Sequence, residues 1–167
     1  IGLNVLIRPR GGDFCYSAAE ISRILRDIEF CGSLITEEGK VVDGVVIGAL
    51  ARDRSIEYGA CSEIFATACE YGLSTTFHRA IDRSRDIFKA LERVIDLGAN
   101  RVLTSGGAES AFEGRKTIAQ MVQLSVGSGT LIMAGAGITP ENARQIIAET
   151  SVPEIHGSRL SLLDGFV

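Results

Sequence analysis

Six short apolar runs constrain the fold of this 167-residue chain more strongly than any other feature. A glycine-rich or polar corner follows nearly every run, and a helical pattern follows most of those corners. Within a run, apolar and polar residues do not alternate, so we expect both faces to be buried, as in parallel strands. The runs are Leu3–Ile7, Gly44–Gly48, Ser74–His78, Arg101–Thr104, Leu131–Ala134 and Glu154–His156.

The segments between the runs carry helix signals. Ser17 followed by Glu20 predicts a capping box at the start of the first helix. Another helix is expected to begin near Ser84 and to stop at Gly98, and Pro140 after Thr139 predicts a further helix start. The stretch 29–42 fits a helix poorly because glycines and Ser33 interrupt it, so we expect a loop or an insertion there.

Alternating strands and helices predict an α/β fold with a parallel sheet. Periodicity alone leaves two architectures open, an open doubly wound sheet and a TIM-type barrel. In both, ligands bind where the carboxyl ends of the strands meet. The chemistry of this chain is therefore expected in the corners that follow the runs.

Composition narrows the partners. The chain has 17 Lys and Arg against 21 Asp and Glu, a net charge of −4, which disfavours a nucleic-acid surface. No apolar run reaches the ~18 residues of a membrane span, and no signal peptide is visible, so we expect a cytoplasmic protein without a membrane partner. The four cysteines lack metal-site spacing and are predicted to be reduced and mainly buried, with Cys61 and Cys69 on one helix face.

Both histidines of the chain, His78 and His156, end a predicted strand. Imidazole at a ligand-binding edge suits acid–base chemistry or metal ligation. Cys15 lies in the loop after the first run, beside the same edge. The weak metal-ligand candidates are therefore Cys15, His78 and His156.

The same edge collects groups that suit an anion. Arg8 and Arg10 flank Pro9 in a dense turn, where they could hold a carboxylate or phosphate or pair with Asp13 or Asp82. Two glycine-rich corners resemble anion-cradling loops, and tight structural corners are the alternative. The predicted anion-binding residues are Arg8, Arg10, Asp13, Thr104, Ser105, Gly106, Gly135, Gly137 and Ser158.

Several of these segments together resemble the copper homeostasis protein CutC family. The most specific is RPRGGDFCYS, residues 8–17, and the others follow in the family's order across almost the whole chain. They are DGVVIGAL at 43–50, TFHRAID at 76–82, residues 101–106, residues 133–139 and residues 154–158.

The resemblance implies a TIM-like barrel, with this chain running from the family's third strand to its eighth. We therefore expect residues 1–167 to form one domain with about six of the eight strand–helix units of such a barrel, lacking the first two. The family's proposed copper-binding cysteines lie in those two units. Because unpaired strand edges favour association, we also expect a homo-oligomer.

Two functions stay open at this point. The resemblance implies a copper homeostasis protein, cytoplasmic or nuclear, that binds copper ion and controls the cellular copper level. The alternative is a TIM-barrel enzyme that acts on a small anionic substrate at the strand ends. The expected partner is copper ion for the first function and the small anion for the second. The candidate catalytic residues of such an enzyme are His78 as general acid or base, Asp82 as its orienter or as a partner for Arg79, and His156.

Overall fold

The computed structural model describes residues 2–158 and consists of strands and helices in alternation. The strands are β1 Asn4–Leu6, β2 Ile35–Thr36, β3 Gly39–Lys40, β4 Gly44–Ile47, β5 Ser74–Phe77, β6 Arg101–Thr104, β7 Leu131–Gly135 and β8 Glu154–His156. The helices are α1 Ala18–Ser33, α2 Tyr58–Glu70, α3 Ile87–Asp96, α4 Arg115–Ser125 and α5 Pro140–Thr150, with a 3₁₀-helix at Arg79–Arg83.

The main sheet has six parallel strands in the order β1-β4-β5-β6-β7-β8. Each of the five α-helices follows one strand of this sheet and leads to the next, and the strands curl into part of a barrel. The predicted α/β fold with an incomplete TIM-like barrel is therefore confirmed. All six apolar runs became strands of this sheet, and the bounds of β6 and β8 match the prediction.

The convex face of the sheet carries the core because the helices cover it. Val45, Phe77, Val102 and Ile132 are at most 1% exposed on this face. The expectation that both faces are buried is wrong for the concave face, where Leu6 at the edge strand β1 is 60% exposed. An apolar run shows that a face is apolar, but the tertiary structure decides which elements cover it.

Local signals set most helix starts. Ser17 and Glu20 form the predicted capping box, with Glu20 Oε2 accepting from Ser17 N at 2.7 Å. Pro140 begins α5 behind a second box at Thr139. The helix expected near Ser84 instead begins after Asp86, whose Oδ1 accepts from the first backbone N–H groups of α3.

The structure partly corrects the prediction of a loop or an insertion at residues 29–42. Helix α1 continues through Gly32. A Cβ at this position would lie 2.4 Å from Tyr71 Cβ, so the glycine permits close packing against the end of α2. The expected insertion follows it as the β2–β3 hairpin. Lys40 Nζ anchors this hairpin by donating to the carbonyl oxygen of Tyr71.

The cysteines are free, but they do not share one environment. Cys31 and Cys61 are buried as expected, whereas Cys69 is exposed and Cys15 is only partly buried. The shared face predicted for Cys61 and Cys69 is wrong, because eight residues rotate a helix by about 80°. Within residues 2–158, no helix combines the length and the apolar character that crossing a membrane requires.

Candidate functional site

A cavity of about 710 Å³ opens on the concave face of the sheet. Its wall includes four of the residues singled out in the sequence: Arg8, His78, Arg79 and His156. The other lining residues are Asn4, Leu6, Phe14, Val46, Thr76, Arg101, Leu103, Met133, Glu154 and Ile155. The parallel strand ends thus bring Arg8 and His156, which are 148 positions apart, to one cavity.

His78 follows β5 and is 5% exposed. Its Nδ1 accepts a hydrogen bond from the backbone N–H of Ala80 at 3.3 Å, which caps the 3₁₀-helix. The ring packs on Phe14, with centroids 4.9 Å apart. Burial, with a smaller contribution from the positive charge of Arg8, lowers the pKa of His78 to about 4.

At neutral pH, His78 is therefore uncharged. Since Nδ1 accepts from Ala80, we assign the single ring proton to Nε2. Nε2 is buried and has no hydrogen-bond partner among the described residues. The role of His78 as general acid or base stays a prediction, and in this geometry the neutral ring can donate a hydrogen bond from Nε2.

Arg8 and Tyr16 carry two further polar atoms of the same kind. Arg8 Nε and Tyr16 Oη are buried, and neither has a partner in the part of the chain that the structure describes. The Arg8 guanidinium lies 4.4 Å from the centre of the Phe14 ring, and its Nη2 donates to Gly12 O at 2.7 Å. Burial raises the pKa of Tyr16 while the charge of Arg8 opposes that rise.

Asp82 organises the corner after β6. Its side chain is 4% exposed and pairs with Arg79 Nε at 2.8 Å, so it is the partner of Arg79 and not the orienter of His78. The same carboxylate accepts from Thr104 Oγ1 at 2.5 Å and from the backbone N–H groups of Ser105 and Gly107 at 3.0–3.1 Å. In this structure, the predicted anion loop holds the chain's own carboxylate.

The fixed position of Arg79 depends on this network. Arg79 Nη2 donates to Ser105 Oγ at 2.8 Å, while Nε faces Asp82. The Gly106 N–H donates to Thr104 Oγ1 at 2.8 Å. A Cβ on Gly106 would lie 2.4 Å from Gly114 O, so the glycine is needed for the corner to close.

Arg10 lies in an ion network within its own loop. Its side chain pairs with Asp13 at 2.8 Å and with Glu20 at 2.6 Å, and Nη2 also donates to Cys15 O. This is the structural alternative that the sequence left open for the RPRGGD turn. Arg8, by contrast, lines the cavity without a carboxylate partner among residues 2–158.

The corner after β7 lies beside β8. Gly135 pairs with His156 in the sheet, and a Cβ on Gly135 would lie 2.6 Å from Leu103 Cδ1. Gly137 has φ +66° and accepts from Asn142 Nδ2 through its carbonyl oxygen. Ser158 is exposed at the end of the described chain. Anion binding by these residues stays a prediction.

The weak metal-ligand candidates divide between two cavities. His78 and His156 line the concave cavity, whereas Cys15 lines an adjacent one. Over residues 2–158, no group of three or more His, Cys, Asp or Glu side chains is placed to hold a metal ion. The described residues therefore do not fit a closed metal site.

Phe14, Tyr16 and the pair Arg101–Glu154 were not predicted as site residues. Arg101 Nε and Glu154 Oε2 lie 2.7 Å apart across the cavity wall. A charged residue at the start of an otherwise apolar run was the available signal for this pair. Phe14 and Tyr16 lie in the segment 8–17 that carries the family resemblance, but nothing in the sequence assigned them to the site.

Comparisons with known proteins agree with this architecture. The chain is 44% identical to a family protein CutC of Glaesserella parasuis over 98% of its own length, and it spans 65% of that relative. It superposes on a crystal structure of CutC from Streptococcus agalactiae, titled as a copper homeostasis protein, with a TM-score of 0.81 and 31% identity. That match covers 96% of this chain and 74% of the other.

A truncated 3-deoxy-D-arabino-heptulosonate 7-phosphate synthase from Thermotoga maritima shares the fold alone. Its TM-score is 0.53 at 12% identity, over 92% of this chain and 49% of that one. The CutC family matches residues 1–161, almost the whole chain. Together with the identity to the Glaesserella protein, that match assigns the sequence: the chain belongs to the CutC family.

Proposed function

We propose that the concave cavity binds a small anionic ligand, a carboxylate or a phosphate, and that Arg8 and His78 contact it. One observation carries this proposal. The three buried side-chain atoms that lack a hydrogen-bond partner among the described residues are Arg8 Nε, Tyr16 Oη and His78 Nε2. Unpaired buried polar groups are costly and rare in native proteins, and two of these three, on Arg8 and His78, belong to residues that line the concave cavity, which points to a ligand there.

The electrostatics of the wall favour an anion. Arg8 contributes a positive charge, Arg79 adds a guanidinium that is already paired with Asp82, and the neutral His78 contributes an N–H donor. Glu154 is the acidic residue among the lining side chains, and Arg101 pairs with it at 2.7 Å. A carboxylate or phosphate would thus meet guanidinium groups without a competing free carboxylate.

If a reaction occurs, each residue has a separate role. His78 donates a hydrogen bond from Nε2 to an oxygen that gains negative charge, because its low pKa keeps the ring neutral. Arg8 neutralises the charge of the bound group. Asp82 is a positioning residue that holds Arg79 at the rim and does not touch the ligand.

The chain has two histidines, which makes a site-specific NMR experiment practical. The imidazole signals of His78 are assigned by comparison with His156→Gln, and inorganic phosphate or acetate is then titrated. We expect saturable shifts of the His78 signals, with about tenfold weaker binding in Arg8→Ala. The matched control Arg23→Ala removes an exposed arginine on α1 and should leave binding unchanged. His78 signals that stay fixed, or an Arg8→Ala protein that binds normally, would contradict the proposal.

We propose copper homeostasis as a second function, because the related CutC of Streptococcus agalactiae is described as a copper homeostasis protein. Control of the cellular copper level and copper binding are parts of this proposal. Imidazole and thioether groups bind Cu(I), and His156 and Met133 line one cavity. Copper is cargo in this proposal, held weakly because these residues form no closed site.

Competition for Cu(I) against a chelator tests this second function. We expect Met133→Leu, which keeps the side-chain volume, to weaken Cu(I) binding. Cys69→Ser, on the outside of α2, serves as the control and should not change it. If the reduced protein takes no Cu(I) from the chelator, direct binding by these residues is refuted, whatever the anion titration shows.

A further inference from the structure

A second cavity, of about 590 Å³, shares Phe14 as a lining residue with the concave cavity. Three arginines line it: Arg52, Arg54 and Arg83. The first two come from the loop after β4, and Arg83 ends the 3₁₀-helix after β5. The tertiary structure thus gathers three cations from two separate corners of the barrel.

These three guanidinium groups have no ion pair or hydrogen bond within residues 2–158. One carboxylate, that of Asp13, also lines this cavity and pairs with Arg10 at 2.8 Å, and Asp53 in the neighbouring loop pairs with Arg85 at 2.7 Å. The chain as a whole is acidic, with a net charge of −4. Three cations without partners in one cavity are therefore a local excess of positive charge in an acidic protein.

The loop that presents two of the arginines is tightly built. Leu50 and Ile56 bridge its ends, and the N–H of Arg54 donates to Ala51 O at 2.9 Å. Arg54 has φ +63°, a left-handed conformation that is strained for a residue with a side chain. Glycine would take this conformation without that strain, so the chain places a guanidinium at a backbone position that favours glycine.

We propose that Arg52, Arg54 and Arg83 form a binding site for a phosphorylated small molecule with at least two negative charges. Guanidinium groups bind phosphate oxygens in a bidentate manner, and a cavity of this size accommodates a small molecule. Phe14, Leu50 and Ala51 supply an apolar wall beside the cations. The site stands independently of the anion proposed for the concave cavity, although Phe14 lines both.

Calorimetric titration with inorganic pyrophosphate tests the site. Arg54→Gly removes the guanidinium and also relieves the positive φ, so the variant should melt no lower than the parent protein. We expect about tenfold weaker pyrophosphate binding for Arg54→Gly and again for Arg83→Gln. Arg23→Gln, which loses the same charge on α1, should bind within about twofold of the parent.

Each alternative result is decisive. Parent-like binding in Arg54→Gly and Arg83→Gln would overturn the proposal, and so would equal weakening by the Arg23→Gln control, which would indicate attraction by net charge alone. Binding that is lost in Arg8→Ala but not in Arg54→Gly would place pyrophosphate in the concave cavity. That result refutes the second site and leaves the anion proposal for the concave cavity intact.

Discussion

Replacing Asp82 with asparagine tests how the corner after β6 is held. The carboxylate is 4% exposed and accepts from Arg79, Thr104, Ser105 and Gly107. Oδ1 faces Thr104 Oγ1 and the backbone N–H of Gly107, while Oδ2 faces Arg79 Nε and Ser105 Oγ. Both oxygens therefore face donors, so no orientation of an amide side chain keeps all of these bonds.

The magnitude follows from counting the donors that Asp82→Asn leaves unpaired. In Asp82→Asn, the amide NH₂ group takes the place of one carboxylate oxygen. Its N–H groups then face at least two donors, which lose their acceptor. Each buried donor without an acceptor costs about 1–3 kcal/mol, so two of them cost about 2–6 kcal/mol. The loss of the ion pair adds less, because the Arg79 side chain is 42% exposed. We expect Asp82→Asn to lower the free energy of unfolding by about 4 kcal/mol, or the melting temperature by roughly 10 °C.

The assay is urea unfolding followed by circular dichroism, beside a matched control. Asp53→Asn changes a carboxylate that is 52% exposed and pairs with Arg85, so its cost should stay below about 1 kcal/mol. A loss for Asp82→Asn no larger than that of the control would refute the reasoning. The carboxylate would then not be what organises this corner.

Two further predictions follow. The pKa of His78 is lowered to about 4 in the folded protein, so the unfolded chain takes up the proton first as the pH falls. The contribution of His78 to the free energy of unfolding is complete above pH ~6.5 and falls by about 3 kcal/mol towards pH 4. Unfolding curves of His78→Gln between pH 4.5 and 7.5 should lack this part of the pH dependence. Gly114→Ala places a Cβ 1.9 Å from Ser105 O and should cost more than about 3 kcal/mol in thermal unfolding, whereas Gly11→Ala, with no atom within 4 Å, should be nearly neutral. An unchanged pH slope in His78→Gln, or equal melting of the two alanine variants, would contradict these expectations.

Much of the fold could be predicted from local patterns. The apolar runs, the capping box at Ser17 and the Pro140 helix start depend on neighbours in sequence, and the structure has all of them. Gly32 was misjudged because its role is contact with Tyr71, 39 positions away. A glycine that permits close packing and a glycine that breaks a helix look the same in the sequence.

The candidate site was predictable as a place but not as a set of contacts. Arg8, His78, Arg79 and His156 reach one cavity because parallel strands all end at the same edge. Whether Arg10 faces a ligand or Asp13 could not be read from the turn itself. The same holds for the loop at Thr104–Gly107, whose donors bind Asp82 from the preceding strand–helix unit.

The sequence by itself determined the strand–helix alternation, the parallel sheet and the edge at which the polar corners gather, because periodicity and capping are local properties. The tertiary structure alone decided the charge and the partner of each group at that edge. It buried His78 so that its ring stays neutral, paired Asp82 with Arg79, and brought Arg52 and Arg54 beside Arg83. Desolvation and ion pairing depend on neighbours that are distant in the chain, and for that reason they are set only when the barrel strands curl together.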